Sequence, residues 1–197
     1  MKHTKFLLTA FAAVIFVTFT NCCGNSTTEP QAEAEDTMQA EQPTFLTAID
    51  DYLSTEIGAS YSKGDVCIPN YTIVESDISD TSDIRVWGDW WVFNYNLVGD
   101  TLKTVSGGNH PGLFHVQKNG DNYTVTAFEQ VEDGAGNEAS ARRIFGDYYD
   151  GFHQINSNSD EREGQRANAI AEYVKKHGLK AAVYQDYGWP VVPLKLD

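Results

Sequence analysis

The sequence predicts an α+β domain: an N-terminal helix, a curled antiparallel meander of four to five strands, and two C-terminal helices. Three observations carry this. Apolar residues recur at intervals of three and four after Pro43. Between Val66 and Val131 the chain turns to β-branched and aromatic residues in short runs broken by Gly-Asp and Asn-Gly pairs. Beyond "EDGAGNE" the helical interval returns.

The first helix is predicted from Phe45, Leu46, Ile49, Leu53 and Ile57, which fall on one face, with Gly58 as its stop. The strands follow as "YTIVES", "IRVWGDWWVFNYNLV", "TLKTVS", "LFHVQK" and "YTVTAFEQV". "VGDT" (Val98 to Thr101) and "NGDN" (Asn119 to Asn122) place glycine where hairpin turns need a positive φ, so the strands they join are antiparallel neighbours. Ile144, Phe145, Tyr148, Tyr149, Phe152 and Ile155 form one helix stripe. Ala167, Ile170, Ala171 and Val174 form a second, with Asp160 and Glu163 in capping-box spacing before it and Lys175 to Gly178 closing it. The aromatic tail "YQDYGWPVVPLKLD" is expected to pack back across the sheet.

The 197 residues fit one domain with appendages. A net charge of −14, from 28 acidic and 14 basic residues, repels phosphate backbones and argues against nucleic acid as a partner. It equally resists anionic lipid, so attachment to a membrane requires something hydrophobic or covalent.

The N-terminus supplies such a device. Lys2 and Lys5 precede an uncharged apolar or hydroxyl run from Phe6 to Thr20, too short for a comfortable span of about 20 residues but of the length of an export signal. The run ends at "NCCG". This arrangement resembles a bacterial lipoprotein signal, which implies a signal peptide over residues 1–21 and acylation of Cys22, with Cys23 as the alternative acceptor. Phe19, Thr20 and Asn21 depart from that family's usual Leu-(Ala/Ser)-(Gly/Ala) approach to the cysteine. Each buried methylene contributes about 0.8 kcal/mol, so several acyl chains would hold an acidic protein at a bilayer. The competing reading is a secreted chain whose adjacent cysteines form disulfides.

Residues 22–43 are rich in Glu, Gln, Thr and Ala and cannot offset the entropy of ordering, which makes them a tether, and leaves residues 44–197 as the single globular domain. An acidic stretch behind the cysteine resembles the export tags of some Gram-negative lipoproteins, which implies a lipid-anchored location at the cell envelope, on the outer membrane and facing either the periplasm or the surface. "DTM" (Asp36 to Met38) and "DTL" (Asp100 to Leu102) resemble a short O-glycan acceptor pattern. Cys67 reads as a small buried hydrophobe, and no cysteine or histidine spacing supports zinc.

Three constellations are candidates for chemistry. In "VWGDWWVFNYN", Trp87, Trp91, Phe93 and Tyr95 share one strand parity and Trp90, Val92 and Asn94 the other. One reading makes one face core, with a Gly-Asp bulge shifting register; the other makes Trp87, Trp91 and Tyr95 an aromatic wall for a flat ligand, completed by Tyr187 and Trp189. In "SGGNHPGLFH", His110 falls on a loop and His115 on a strand, and the glycines suit a turn or the close approach of a ligand. In "FGDYYDGFHQ", Asp147, Asp150 and His153 are three apart along a helix. "DGAGNE" and "NSNSDERE" lack the glycine and glutamate positions of an EF-type calcium loop, and no cofactor is expected.

One helix followed by a curled meander is similar to the cystatin-like and NTF2-like folds, though two C-terminal helices depart from their simplest members. The expected function is a non-catalytic envelope module held by its lipid, binding a small molecule, glycan or protein through its sheet, with His110 near that ligand. The alternative is a periplasmic or surface hydrolase with His110 or His153 as base and Asp147 in support. Protease inhibition of the cystatin kind lacks a matching loop and ranks last.

Overall fold

A computed structural model describes residues 44–196. The expected signal at residues 1–21, the acceptors Cys22 and Cys23, the tether to residue 43 and the Asp36–Met38 tripeptide lie outside the described residues. Ala40–Asp197 forms one compact unit.

The chain folds as α+β. Helix α1 (Phe45–Tyr52) starts at Thr44, whose hydroxyl accepts from the Thr47 amide in a capping box. It does not stop at Gly58. A wider π turn (Leu53–Ile57) and a 3-10 turn (Gly58–Ser60) extend it, which keeps both Leu53 and Ile57 packed on the sheet. Gly58 is required for clearance instead: a Cβ there would lie 2.4 Å from Cys67 Sγ.

Seven strands follow in one mixed sheet: β1 (Val66–Asp77), β2 (Ile84–Val98), β3 (Thr101–Asn109), β4 (Gly112–Asn119), β5 (Asn122–Gln130), β6 (Val183–Gln185) and β7 (Val192–Pro193). The predicted hairpins form, with Gly99 and Gly120 at φ +65° and +62°. The step from β3 to β4 is not a hairpin. Both pair antiparallel with β2, β3 along Trp91–Val98 and β4 along Ile84–Gly88, so they lie end to end as one long strand kinked at His110 and Pro111. On the outer side of this strand β4 pairs with β5, while β3 pairs in parallel with β6. The aromatic tail therefore extends the sheet edge and does not cross it; Tyr187 and Trp189 are exposed.

Strand β2 is buried on both faces, which corrects the expectation of a single core face with a bulge at Gly88-Asp89. Alternation through β2 is regular there, and the extra residue is Val74 of β1. Ile84, Val86, Trp90 and Val92 face α1 with Phe114 and Val116; Trp87 and Tyr95 face the other way. Each large apolar side chain so enclosed contributes roughly 1.5–3 kcal/mol. Trp90 Nε1 donates to the Gly112 carbonyl at 3.1 Å and Trp87 Nε1 to that of Ile144 at 2.9 Å, so neither buried indole loses its hydrogen bond.

The stripe read as one helix from Ile144 to Ile155 is two. Helix α2 (Asn137–Phe145) breaks at Gly146, φ +51°, passes through a 3-10 turn containing Asp147, and resumes as α3 (Tyr149–Ser157). The break lets Phe145 and Phe152 stack at 4.1 Å, both inside the core. Helix α4 (Ser159–His177) is capped by Asn158, whose Oδ1 accepts from the Glu161 amide, so the cap lies upstream of the expected Asp160–Glu163 pair. Gly178 closes it in the left-handed conformation.

Arg166 of α4 fastens this layer to the sheet. Only 9% exposed, it donates through Nε to Tyr95 Oη (2.9 Å), through Nη2 to Thr104 Oγ1 (2.8 Å), and bidentately to Asp186 (2.9 and 2.8 Å), while its guanidinium lies 3.7 Å from the Phe93 ring centre. Burial alone would push the Asp186 carboxyl up; hydrogen bonds from Arg166 and Thr104 outweigh it and hold the group below its ordinary value. Asp186→Ala should therefore destabilise the domain by about 2–3 kcal/mol in urea unfolding, because the buried Arg166 keeps Tyr95 and Thr104 but loses its counter-charge, whose own partial exposure screens the pair. Removing both charges as Arg166→Met with Asp186→Leu should restore most of that loss.

Candidate functional site

The main cleft of the domain, about 690 Å³, opens where α1 and α4 pass on either side of β1. Five consecutive β1 residues, Cys67 to Tyr71, line it. Successive strand residues point to opposite faces, so only a cleft wrapped around the strand's edge can touch all five. Strand β1 has β2 as its only strand partner among the described residues, which leaves this edge open.

Two polar groups distinguish the cleft. Asn70 is 5% exposed and its Oδ1 has no hydrogen-bond partner among the described residues, an arrangement that costs about 1–3 kcal/mol unless a ligand or water fills it. Asp50 comes from α1, and burial raises its carboxyl to about 6; the Tyr71 hydroxyl donating to it and the Lys176 charge pull it down, and neighbouring Asp51 pushes it up. The Tyr71 hydroxyl is itself held above its usual range by burial and by Asp50. Cys67, half-buried in the same wall and not fully enclosed as expected, has its thiol raised by burial, with Ser54 opposing. Across from them α4 presents Gln165, which accepts a hydrogen bond from Thr72 Oγ1, together with Glu172, and with Tyr173 stacked 4.1 Å from His177.

The residues selected from sequence are distributed elsewhere. Trp87 and Tyr95 are core residues, 8% and 0% exposed. Trp91 is half-buried, stacked on Phe93 at 5.8 Å, with the Arg162 guanidinium 5.0 Å from its ring centre. Its Nε1 donates to Asp89, a carboxylate only 2% exposed that also accepts from Asn109 Nδ2 (2.6 Å) and Asn156 Nδ2 (3.2 Å). This network ties the β3–β4 kink to the end of α3 and leaves each Asp89 oxygen with a donor. Trp189 stands 72% exposed in the tail.

His110 sits at the kink. Its amide donates to the Trp90 carbonyl at 2.7 Å, its Nε2 lies 2.9 Å from Tyr61 Oη, and burial lowers its ring below the usual histidine value. The glycines of "SGGNHPG" make room for the protein's own atoms: a Cβ on Gly107 would lie 2.2 Å from the Val92 carbonyl, and one on Gly108 2.3 Å from Tyr61 Oη. His115 has both ring nitrogens engaged, with Asp83 at 2.7 Å and Glu129 at 3.3 Å. His153 is exposed on α3 beside the Tyr149 ring, and among the described residues no hydrogen bond joins it to Asp147 or Asp150. In the second tripeptide, Leu102 is fully buried and Thr101 Oγ1 donates to Asp100 at 3.2 Å. Among the described residues no three His, Cys, Asp or Glu side chains are grouped to hold a metal, and no helix is long and apolar enough to cross a membrane.

No protein-family model, curated protein or solved structure matches the chain.

The cleft's cost to the fold is measurable at Asp50. A carboxyl raised from 3.8 to about 6 contributes stability that is fully present below pH 3.8 and lost as pH rises through 6, a swing on the order of 3 kcal/mol before solvent screening of this partly exposed group. Asp50→Asn should raise the unfolding free energy at pH 8 by about 1–2 kcal/mol and show no gain at pH 4, followed by thermal melts across that window.

Proposed function

We propose that this is a lipid-anchored protein of the bacterial cell envelope whose folded domain binds a ligand, without chemical turnover, in the cleft around the open edge of β1. The observation that carries the reading is Asn70 Oδ1: a buried acceptor without a partner among the described residues, on a side chain that lines this cleft, is a vacancy that a ligand donor would fill. The anchor rests on the sequence pattern of Lys2, Lys5, the apolar run and Cys22, with the outer membrane as its location. The architecture, a helix against a bent meander of long strands, is similar to the cystatin-like and NTF2-like arrangements; the end-to-end β3 and β4 supply the bend, and the third C-terminal helical segment and the parallel β6 are additions to it.

The hydrolase alternative receives less support. Nucleophilic catalysis requires a base within reach of a nucleophile and oriented by a third group. Among the described residues His110 meets the Tyr61 hydroxyl through Nε2 and no carboxylate orients its Nδ1, His115 is engaged by two carboxylates, and no hydrogen bond joins His153 to Asp147 or Asp150. The aromatic-wall site is less favoured than the cleft because Arg162 and Arg166 already cover the faces of Trp91 and Phe93.

Two measurements test this reading. Mass spectrometry of the mature N-terminus should find diacylglyceryl-modified Cys22, or Cys23 in the alternative; an unmodified N-terminus at any other residue refutes the anchor. Native mass spectrometry of protein gently released from envelopes should show a retained small molecule that survives His110→Ala and His153→Ala and disappears in Ala169→Trp, which fills the cleft. A molecule retained equally by Ala169→Trp would place the site elsewhere.

A further inference from the structure

We infer that the β1 cleft selects an organic cation, a linear amine whose ammonium groups are received by Asp50, Glu172 and the Asn70 amide oxygen. The inference rests on reading this cleft as the ligand site, and it follows from which hydrogen-bonding groups in the wall remain available.

Three hydroxyl donors of the wall are committed. Ser54 Oγ donates to the Asp50 carbonyl at 2.8 Å, Thr47 Oγ1 is engaged with Thr44 in the capping box, and Tyr71 directs its hydroxyl at Asp50. Among the acceptors, Gln165 takes the Thr72 hydroxyl and Asp50 the Tyr71 hydroxyl, while Asn70 Oδ1 has no partner among the described residues and Asp51 and Glu172 are exposed at the rim. That buried acceptor and these carboxylates call for donors from a ligand, which an amine supplies with positive charge. Charge leads to the same class. Asp50, Asp51 and Glu172 outnumber Lys176 in the lining. The cleft also ends at the last turn of α4, where the helix dipole favours positive charge.

The alternatives fit less well. An anion would meet three carboxylates, and a chelated metal ion needs a tight ligand group that is not found among the described residues. Acids and the rings of Tyr71 and Tyr173 in one wall along an open strand edge suit charge spaced along an apolar stem, since ammonium groups also favour aromatic faces. The groups that face Asp50 are Asp51 on its own helix, Tyr71 and Cys67 on β1, and Glu172, Tyr173, Lys176 and His177 on α4. Of these Asp50 is the one raised to about 6, so a cation should bind more tightly above pH 6 than below it. Bound at pH 6, it should also expel about half a proton.

The test uses spermidine as probe, with 1,7-heptanediol as a neutral chain and Mg²⁺ as an inorganic cation at matched ionic strength. Titration calorimetry at pH 7.5, and at pH 6 in buffers of differing ionisation enthalpy, is paired with amide shift mapping of the full protein. Saturable spermidine binding is expected, mapping to Asn70, Tyr71 and Glu172. It should weaken about tenfold at pH 5 and about tenfold in Glu172→Gln or Asp50→Asn. Equal binding of Mg²⁺, or no loss in either variant, would reduce the effect to general surface charge and overturn the inference. Equal binding of heptanediol would overturn the cation class while leaving a ligand cleft in place. Absence of spermidine binding, beside a retained non-amine molecule that Ala169→Trp abolishes, would sink this inference alone; absence of both would sink the cleft reading with it.

Discussion

The ion pair of Arg166 with Asp186 sets the geometry on which the rest of the molecule depends. A guanidinium is costly to bury, and here the cost is offset by donating to three separate partners and by lying flat on Phe93. Those partners belong to β2, β3 and the segment after β6. One helical residue thereby fixes the spacing between α4, the middle of the sheet and the C-terminal tail. Ile170 and Val174, four and eight residues further along α4, continue the same face into the core with Ile68, Leu102 and Tyr184. The flanks of that helix face are then committed as well. Gln165, Asn168, Ala169, Glu172 and Lys176 line the cleft because Arg166 leaves α4 no freedom to roll.

A second constraint is the burial of β2 on both faces. A strand between two helical layers cannot alternate apolar with polar, and the run "IRVWGDWWVFNY" accordingly carries bulky residues on both parities. Asp89 is the buried carboxylate of this run, beside the buried amide of Asn94. It is tolerated because an indole and two carboxamides donate to it, and in return it anchors the point where the long outer strand bends. The bend separates β3, which takes β6 on its free side, from β4, which takes β5.

Much of this was legible in the sequence, for physical reasons that differ by element. Strands β1 to β5 announced themselves through β-branched and aromatic runs bounded by turn chemistry that requires glycine at positive φ. The first helix was visible in the spacing of Phe45, Ile49 and Leu53. What stayed hidden depended on partners remote in sequence. The helix break at Gly146 looks like an ordinary interior glycine until Phe145 and Phe152 are seen to stack. The cap at Asn158 was masked by a plausible acid pair one turn later. "SGGNHPG" suggested space for a ligand, whereas Val92 and Tyr61 occupy it. Arg166 was indistinguishable from a surface cation on a helix rich in charge, since its importance comes from Asp186 twenty residues away.

The cleft was the least legible feature, and its chemistry explains why. Asp50 and Asn70 carry no motif; an aspartate on a short helix and an asparagine on a strand are ordinary in any acidic protein. They become unusual only when α1 and α4 close on the edge of β1, which desolvates the carboxylate and strips the amide oxygen of partners. Both effects oppose folding. A leucine or valine at either position would suit a stable core better, so their presence at a wide opening beside an unpaired strand edge is more economically explained by binding than by packing. Aromatic residues misdirected the search for the same reason reversed: the largest side chains of β2 are where the fold gains most from burial, and that gain is what removes Trp87 and Tyr95 from any encounter with a ligand.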